Sequence, residues 1–543
     1  MAISYNYPTK QNSPEASTTS TTLVGATTIA VDHCEYFVPE GLAYTDVSAS
    51  APVIAVIGYD NVDFAYPETV KITAISAASG GGNLTVARAI GSDGTIGIAR
   101  EWSSGTNIAI VLTSQHVDVI QSNQNTLQSQ IDFINTLNSP IIGVQWDTTS
   151  TSSTLTRIDA AGTPLGAMST ADFDKHILFG GRWRCVRNRT TGEITFGTNA
   201  RGDGLTLDGT AGDVLVREPI VYAKADYGVA GAGIARYWVS PRPAAGFTVH
   251  PYWMQRNNGI ASPVVYSGAY ESYGYLDGAT FKLGSASGKV PITGGVAYPD
   301  LPNTGRFNMS DAETYANNIT GTIRSGCENI WNYSATQLLM YIEFGTTDLQ
   351  TALGKGVVDL ASGGTEFAGK NTGADSIDSR LAENGTGTGS GTDGQTPVCW
   401  RGKENSYGNC LMFNIGANFY LDGSVRLLKR DGTGTPSATL ATGSYETVAG
   451  PVDLTNGYIS ATLQDEVSNL AFVPASVAGG GSAYYLCDNW TAPTANGNIL
   501  LTGGFWYAGL YAGPGFRRAL ETPSSSGRSF SARLEFYPDG GDV

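Results

Sequence analysis

The chain has 543 residues, with 48 acidic against 32 basic side chains, a net charge of −16 and 69 glycines. A length over ~150 residues per domain predicts three or four domains, and the 15% of charged residues, against a usual ~25%, excludes long charged helices as the main material. An acidic chain without a Lys/Arg run lacks the footprint of sequence-independent nucleic-acid binding, and no stretch reaches the ~18 consecutive apolar residues of a membrane span.

The glycines, together with 27 Tyr and 9 Trp, predict short strands joined by many turns and ordered loops. The first twenty residues carry neither a basic n-region nor an apolar h-region, so synthesis in the cytoplasm is expected. The six cysteines (Cys34, Cys185, Cys327, Cys399, Cys410, Cys487) are far apart and read as reduced, buried thiols.

Residues 1–112 read as an all-β module whose strands are TTIAV, APVIAVIG, ETVKITAIS, NLTVARAI and TNIAIVL. The order Glu68-Thr69-Val70, Leu84 to Arg88, Gly94-Thr95, Trp102 and Gly105-Thr106 resembles a small β domain near the N-terminus of many phage tail and baseplate proteins, which implies attachment to the virion. An unrelated small β sandwich is the other reading of the same strands.

Over 113–139 the period changes. Val117, Gln124, Ile131 and Asn138 occupy the a positions of a heptad, and Ile120, Leu127 and Ile134 the d positions. Polar a residues fix register and oligomer number, so the pattern predicts a short parallel trimeric coiled coil, with a single amphipathic helix packed on its own domain as the alternative. Ser139-Pro140 ends the helix.

From 140 onward the pattern is mixed: a β-rich stretch over 140–330, then 331–543, either one body with it or a second domain. Ser334 to Phe344 is the best helix candidate and reads as core, while 361–397 is too rich in Gly, Thr and Ser to pack and reads as a flexible insertion. No repeat of 20 to 50 residues supports a solenoid.

An ordered series of segments then carries a resemblance. It runs Ile142-Gly143-Val144-Gln145-Trp146-Asp147, Tyr237-Trp238-Val239-Ser240-Pro241, Tyr266 to Glu271, Gln337 to Phe344, Trp400-Arg401-Gly402-Lys403-Glu404-Asn405-Ser406-Tyr407-Gly408-Asn409, Thr502-Gly503-Gly504-Phe505-Trp506 and Ala532-Arg533-Leu534. Together these resemble the C-type-lectin-fold proteins of phage tails, similar to receptor-binding proteins diversified by retroelements and sharing a broad fold with formylglycine-generating enzymes. The resemblance implies a mainly β chain with some α: an N-terminal β domain, a coiled coil and a C-terminal C-type-lectin-like α+β domain. It further implies a homotrimeric tail fibre or tail-tip protein that docks other tail or baseplate proteins and binds a glycan or protein of the bacterial surface. It places the displayed binding face between the GGxW strand and the last strand.

On this sequence that face is Tyr507 to Arg528, with Tyr507, Leu510, Tyr511, Phe516, Arg517, Arg518, Glu521, Ser524, Ser525 and Arg528 as candidate contacts. Aromatics give contact area at low rotamer cost, arginines give forked donors and serines adapt, which suits recognition. Leu510, Pro514 and Pro523 depart from the adenine-codon residues of diversified members, which argues for a fixed receptor.

Catalysis finds no support in the sequence. The four histidines (His33, His116, His176, His250) have no metal-ligand spacing, His250 reads as scaffold, no thiol follows Cys487, and carboxylate pairs such as Asp172 with Asp174 or Glu271 with Asp277 are unspecific. Cys487-Asp488-Asn489-Trp490 offers two oxygen side chains where Ca²⁺ needs six to eight, so it reads as a turn. No cofactor, metal or catalytic residue is expected. A baseplate connector that never meets the cell, and a capsule depolymerase, are the competing functions.

Overall fold

A computed structural model describes strands at 16–17, 28–31, 53–57, 68–76, 82–88 and 107–110, and then 139–538 apart from 228–232, 255–258, 295–305, 320–322, 361–392, 439, 441, 449 and 479–485. The chain is mainly β, with several antiparallel sheets. It divides into two compact units, Met1–Gln130 and Ile131–Val543. The division falls inside the heptad-patterned stretch, whose core positions Val117, Ile120, Gln124, Leu127, Ile131, Ile134 and Asn138 lie outside the described residues.

In the first unit the five expected strands and an unexpected two-residue strand, Ala16–Ser17, form one six-stranded antiparallel sheet, ordered Ala16–Ser17, Asn107–Ile110, Val53–Ile57, Glu68–Ile75, Gly82–Arg88, Thr28–Val31. Ile72 and Ile75 are both buried although three residues apart, an odd spacing that strict alternation sends to opposite faces. A bulge resolves this: Ile72 pairs with Val86 and Ile75 with Leu84, so one extra residue on the first strand returns both isoleucines to the side of Leu84 and Val86.

The second unit contains a six-stranded antiparallel sheet ordered Ile194–Phe196, Trp183–Arg187, Asp213–Pro219, Val264–Gly268, Leu534–Pro538, Ile323–Cys327. Five of its strands precede residue 330, and the sixth, the near-terminal strand Leu534–Pro538, is inserted between Val264–Gly268 and Ile323–Cys327 with all five residues buried. Residues 140–330 and 331–543 therefore belong to one body. A five-stranded antiparallel sheet (Thr248–Val249, Tyr222–Asp226, Ile234–Ser240, Ile142–Asp147, Thr156–Asp159) and a nine-stranded sheet complete the frame.

The expected helix exists and is longer, Ile330–Phe344, with every residue from Ile330 to Glu343 buried. Asn329 caps its start by accepting from Trp331 N and Asn332 N, and Gly345 ends it at φ 65°, a left-handed conformation that suits glycine. It packs against Leu411–Phe419 of the large sheet and Ile142–Asp147 of the five-stranded one. Enclosure on all sides explains why its sequence is apolar around most of its circumference.

Of the expected insertion, 361–392 lies outside the described residues. Val358 N and Asp359 N both donate to Gly394 O, at 2.8 and 2.9 Å, so the chain leaves and returns at one point. Residues 393–397 begin as a turn in which Asp393 accepts from Gln395 N and Thr396 N.

Candidate functional site

The strand Asn498–Gly503 and the antiparallel strand Gly513–Glu521 are joined by Gly504–Ala512, which holds a one-turn 3₁₀ helix at Gly509–Tyr511. Gly503 and Gly504 have φ of 89° and 88°, and a Cβ on Gly504 would stand 2.5 Å from that of Ala512. The link is tied from below: Trp506 N donates to Asn409 O at 3.0 Å, Leu360 N to Trp506 O at 2.7 Å, Gly509 N to Val358 O at 2.9 Å and Gln350 Nε2 to Gly509 O at 3.1 Å. Trp506 is buried with Val357, Cys410 and Met412. The GGFW segment is thus a fixed base.

On that base Tyr507, Leu510 and Tyr511 are 43%, 53% and 53% exposed. The Tyr507 ring meets the Phe505 ring edge-on at 4.4 Å, and the Tyr511 ring lies 6.1 Å from that of Tyr458. Two tyrosines held by aromatic neighbours, with a leucine between them, make a small amphipathic patch that loses little rotamer freedom on contact. The Lys355–Asp359 ion pair lies on the loop bonded to Gly509.

The remaining candidates divide. Phe516 is buried in the core beside Phe413 and Phe530, and Arg517 is 1% exposed. Arg517 donates to Pro514 O at 3.0 Å, Phe516 O at 3.2 Å and Gln337 Oε1, and its guanidinium lies 4.8 Å over the Tyr333 ring. The expectation that Phe516 and Arg517 face a receptor is therefore corrected. They lie on a strand flanked by Asn498–Gly503 and Asn489–Thr491, where both faces are covered. Arg518 and Glu521 are half-buried and pair with each other at 2.7 Å.

Ser524, Ser525 and Arg528 sit in the loop at the far end, where Thr522 N donates to Ser525 Oγ at 3.0 Å. Nine residues of strand at ~3.3 Å each put roughly 25 Å between this loop and the tyrosines. Tyr507 to Arg528 is two separate surfaces, and the arginines form no single cluster.

The segments that carry the resemblance meet around the loop Trp400–Cys410. Glu271 accepts from Asn405 Nδ2 and Cys410 N, each at 3.2 Å, and from Asn409 Nδ2. Arg533 donates to Gly268 O at 2.9 Å, Glu404 O at 2.7 Å and Asn405 O at 2.9 Å. Arg401 binds Glu343 at 2.6 Å and Asp174 at 3.1 Å, and Lys403 binds Glu328 at 3.0 Å. Arg401, Asn405 and Asn409 take φ of 46°, 50° and 63°, the left-handed region that Asn tolerates better than most residues. Burial pushes the Glu271 carboxyl up to about 7 against the opposing pull of Arg533 and the amide donors.

Sequence reasoning missed these partners. Their one signal was an acidic residue inside an apolar string, Glu343 in MYIEF and Glu271 in SGAYE.

The carboxylates that the sequence analysis found unspecific have structural partners. Asp172 closes a capping box with Ser169, Asp174 binds Arg401, and Asp277 binds Lys282 at 2.6 Å. His176 accepts from Leu178 N and faces Pro140 O, and burial pulls it down to about 4. His250 accepts from Tyr252 N and burial pulls it down to about 3. His33, His116 and Cys34 lie outside the described residues, and the other five cysteines are buried and form no disulfide among the described residues.

Asp488 accepts from Gly515 N at 2.6 Å, which makes Cys487–Trp490 a support for the strand Gly513–Glu521. Among the described residues no three His, Cys, Asp or Glu side chains are placed to hold a metal, and no helix is long and apolar enough to cross a membrane. No known protein family matches the chain, and no curated protein is similar to it.

Proposed function

We propose that this chain is a receptor-binding protein of a phage tail fibre or tail tip, whose second unit is C-type-lectin-like and meets the host surface through Tyr507, Leu510 and Tyr511. The observation that carries the reading is the exposure of these three side chains on a fixed base, at the place where the resemblance puts the displayed face. A patch of this size binds weakly alone. Three copies joined by a 113–139 coiled coil gain avidity through effective concentration. Tyrosine faces stack on sugar rings and their hydroxyls bond sugar hydroxyls, so a glycan suits the patch best.

Fluorescently labelled full-length protein on a panel of bacterial strains tests this reading, with light scattering to give the mass in solution. The expected result is a trimer that labels some strains and, in excess, blocks adsorption of the parent virion. A trimer that labels no strain fits a connector inside the tail instead, and a monomer removes the avidity argument.

A further inference from the structure

Three buried side chains near the start of the central helix are arranged for bond formation rather than only for an ion pair. Lys403 Nζ lies 3.0 Å from Glu328 Oε1, 3.0 Å from Asn332 Oδ1 and 3.4 Å from Thr336 Oγ1. The Lys403 and Glu328 side chains are 1% and 2% exposed, and Asn332 is fully buried. Their backbones are fixed. Glu328 N donates to Arg533 O and its carbonyl accepts from Ile415 N, Asn332 stands in the first turn of Ile330–Phe344, and Lys403 pairs with Trp400.

Two atoms of the group have no hydrogen-bond partner, Glu328 Oε2 and Asn332 Nδ2. Buried polar atoms are nearly always satisfied, and a salt bridge with open valences stabilises little. Both open atoms have a task if the amide is to be exchanged: Asn332 Nδ2 is the leaving nitrogen, and the Glu328 carboxyl is the proton carrier.

We propose that Lys403 and Asn332 join autocatalytically in an isopeptide bond, with Glu328 relaying the protons. The reaction begins with transfer of a proton from Nζ to the Glu328 carboxylate 3.0 Å away, which leaves a nucleophilic amine. The amine attacks Cγ of Asn332, to whose oxygen it is already hydrogen-bonded, so no translational freedom is left to lose. Glu328 passes its proton to Nδ2 and takes one from Nζ, the Cγ–Nδ2 bond breaks as the Nζ–Cγ bond forms, and ammonia leaves as ammonium with the proton Glu328 releases. One lysine ammonium and one carboxamide become one secondary amide and one ammonium ion, and no oxidant, metal or other reactant is consumed.

The bond closes a loop of 71 residues between the central helix and the Trp400–Cys410 loop. Among the described residues no disulfide supplies such a link. A chain made in a reducing compartment gains covalent closure by this route without needing oxidation.

Intact-mass spectrometry of the denatured full-length protein tests the proposal. The expected mass is that of the sequence less one ammonia, with a branched proteolytic peptide containing both Asn332 and Lys403. The full sequence mass overturns the proposal, as does an ammonia loss that maps to a succinimide at one of the four Asn-Gly steps, Asn258-Gly259, Asn384-Gly385, Asn456-Gly457 and Asn496-Gly497. Glu328→Gln and Lys403→Met should each restore the full mass and abolish the branched peptide, whereas Asn332→Asp should keep the link with loss of one water. A branched peptide that survives Glu328→Gln would remove Glu328 from the mechanism. If a variant does not fold, the wild-type mass alone still decides.

Discussion

Arg533, at the start of the last strand, donates from Nη2 to the carbonyl oxygen of Asn405 at 2.9 Å, across 128 residues of chain. The same guanidinium reaches Gly268 O and Glu404 O and is 1% exposed, so it holds three buried carbonyls that no water can serve. Arg533→Ala should cost about 3–5 kcal/mol in denaturant unfolding of the second unit. Arg533→Lys should recover only part of that, because a point charge on a flexible stem cannot span the three acceptors.

Arg517 and Tyr511 are close in sequence and opposite in role. Arg517→Ala removes a buried guanidinium from Gln337, two carbonyls and the Tyr333 ring, and should destabilise by about 2–4 kcal/mol. Tyr511→Ala, on an exposed turn, should stay within about 0.5 kcal/mol. Thermal melts of the two variants compare them directly.

Two buried groups should respond to pH with opposite sign. His176 is pulled down from 6.5 to about 4, so the stability it contributes is present above pH 6.5 and is lost as pH falls toward 4. Relative to His176→Asn, the wild type should lose about 3 kcal/mol over that interval. Glu271 is pushed up from 4.5 to about 7, so its contribution is present below pH 4.5 and is lost as pH rises through 7. Relative to Glu271→Gln, the wild type should lose about 3 kcal/mol between pH 4.5 and 7. Urea unfolding of each pair at several pH values gives both slopes.

Much of the fold was legible because local pattern and tertiary environment agree. The strands of the first unit follow alternation and glycine punctuation, and the central helix follows its apolar run, with Asn329 and Gly345 as visible caps. The bulge at Ile72–Ile75 was not legible, since it breaks the alternation that a strand reading assumes. Of Tyr507 to Arg528, expected to be exposed, the first turn is exposed and the strand that follows it is largely buried. Phe516 and Arg517 look like surface residues beside Pro514 and Gly515, and what buries them is distant in sequence: Phe516 joins the core cluster that holds Phe413 and Phe530, and Arg517 reaches Gln337 and Tyr333 of the central helix. The Trp400–Cys410 loop announced its importance through Arg401, Lys403, Glu404 and Asn405. The partners named above lie 58 to 227 residues away, a distance over which no periodicity carries information.

The central claim is that Tyr507, Leu510 and Tyr511 meet the host surface, and the most direct measurement is cell binding by the full-length Tyr507→Ala/Tyr511→Ala variant beside the wild type. On a bacterial strain that the wild type labels, the account predicts at least a tenfold loss of binding, the equivalent of about 1.4 kcal/mol, with an unchanged melting temperature. Equal labelling of the same strain by wild type and variant would contradict it.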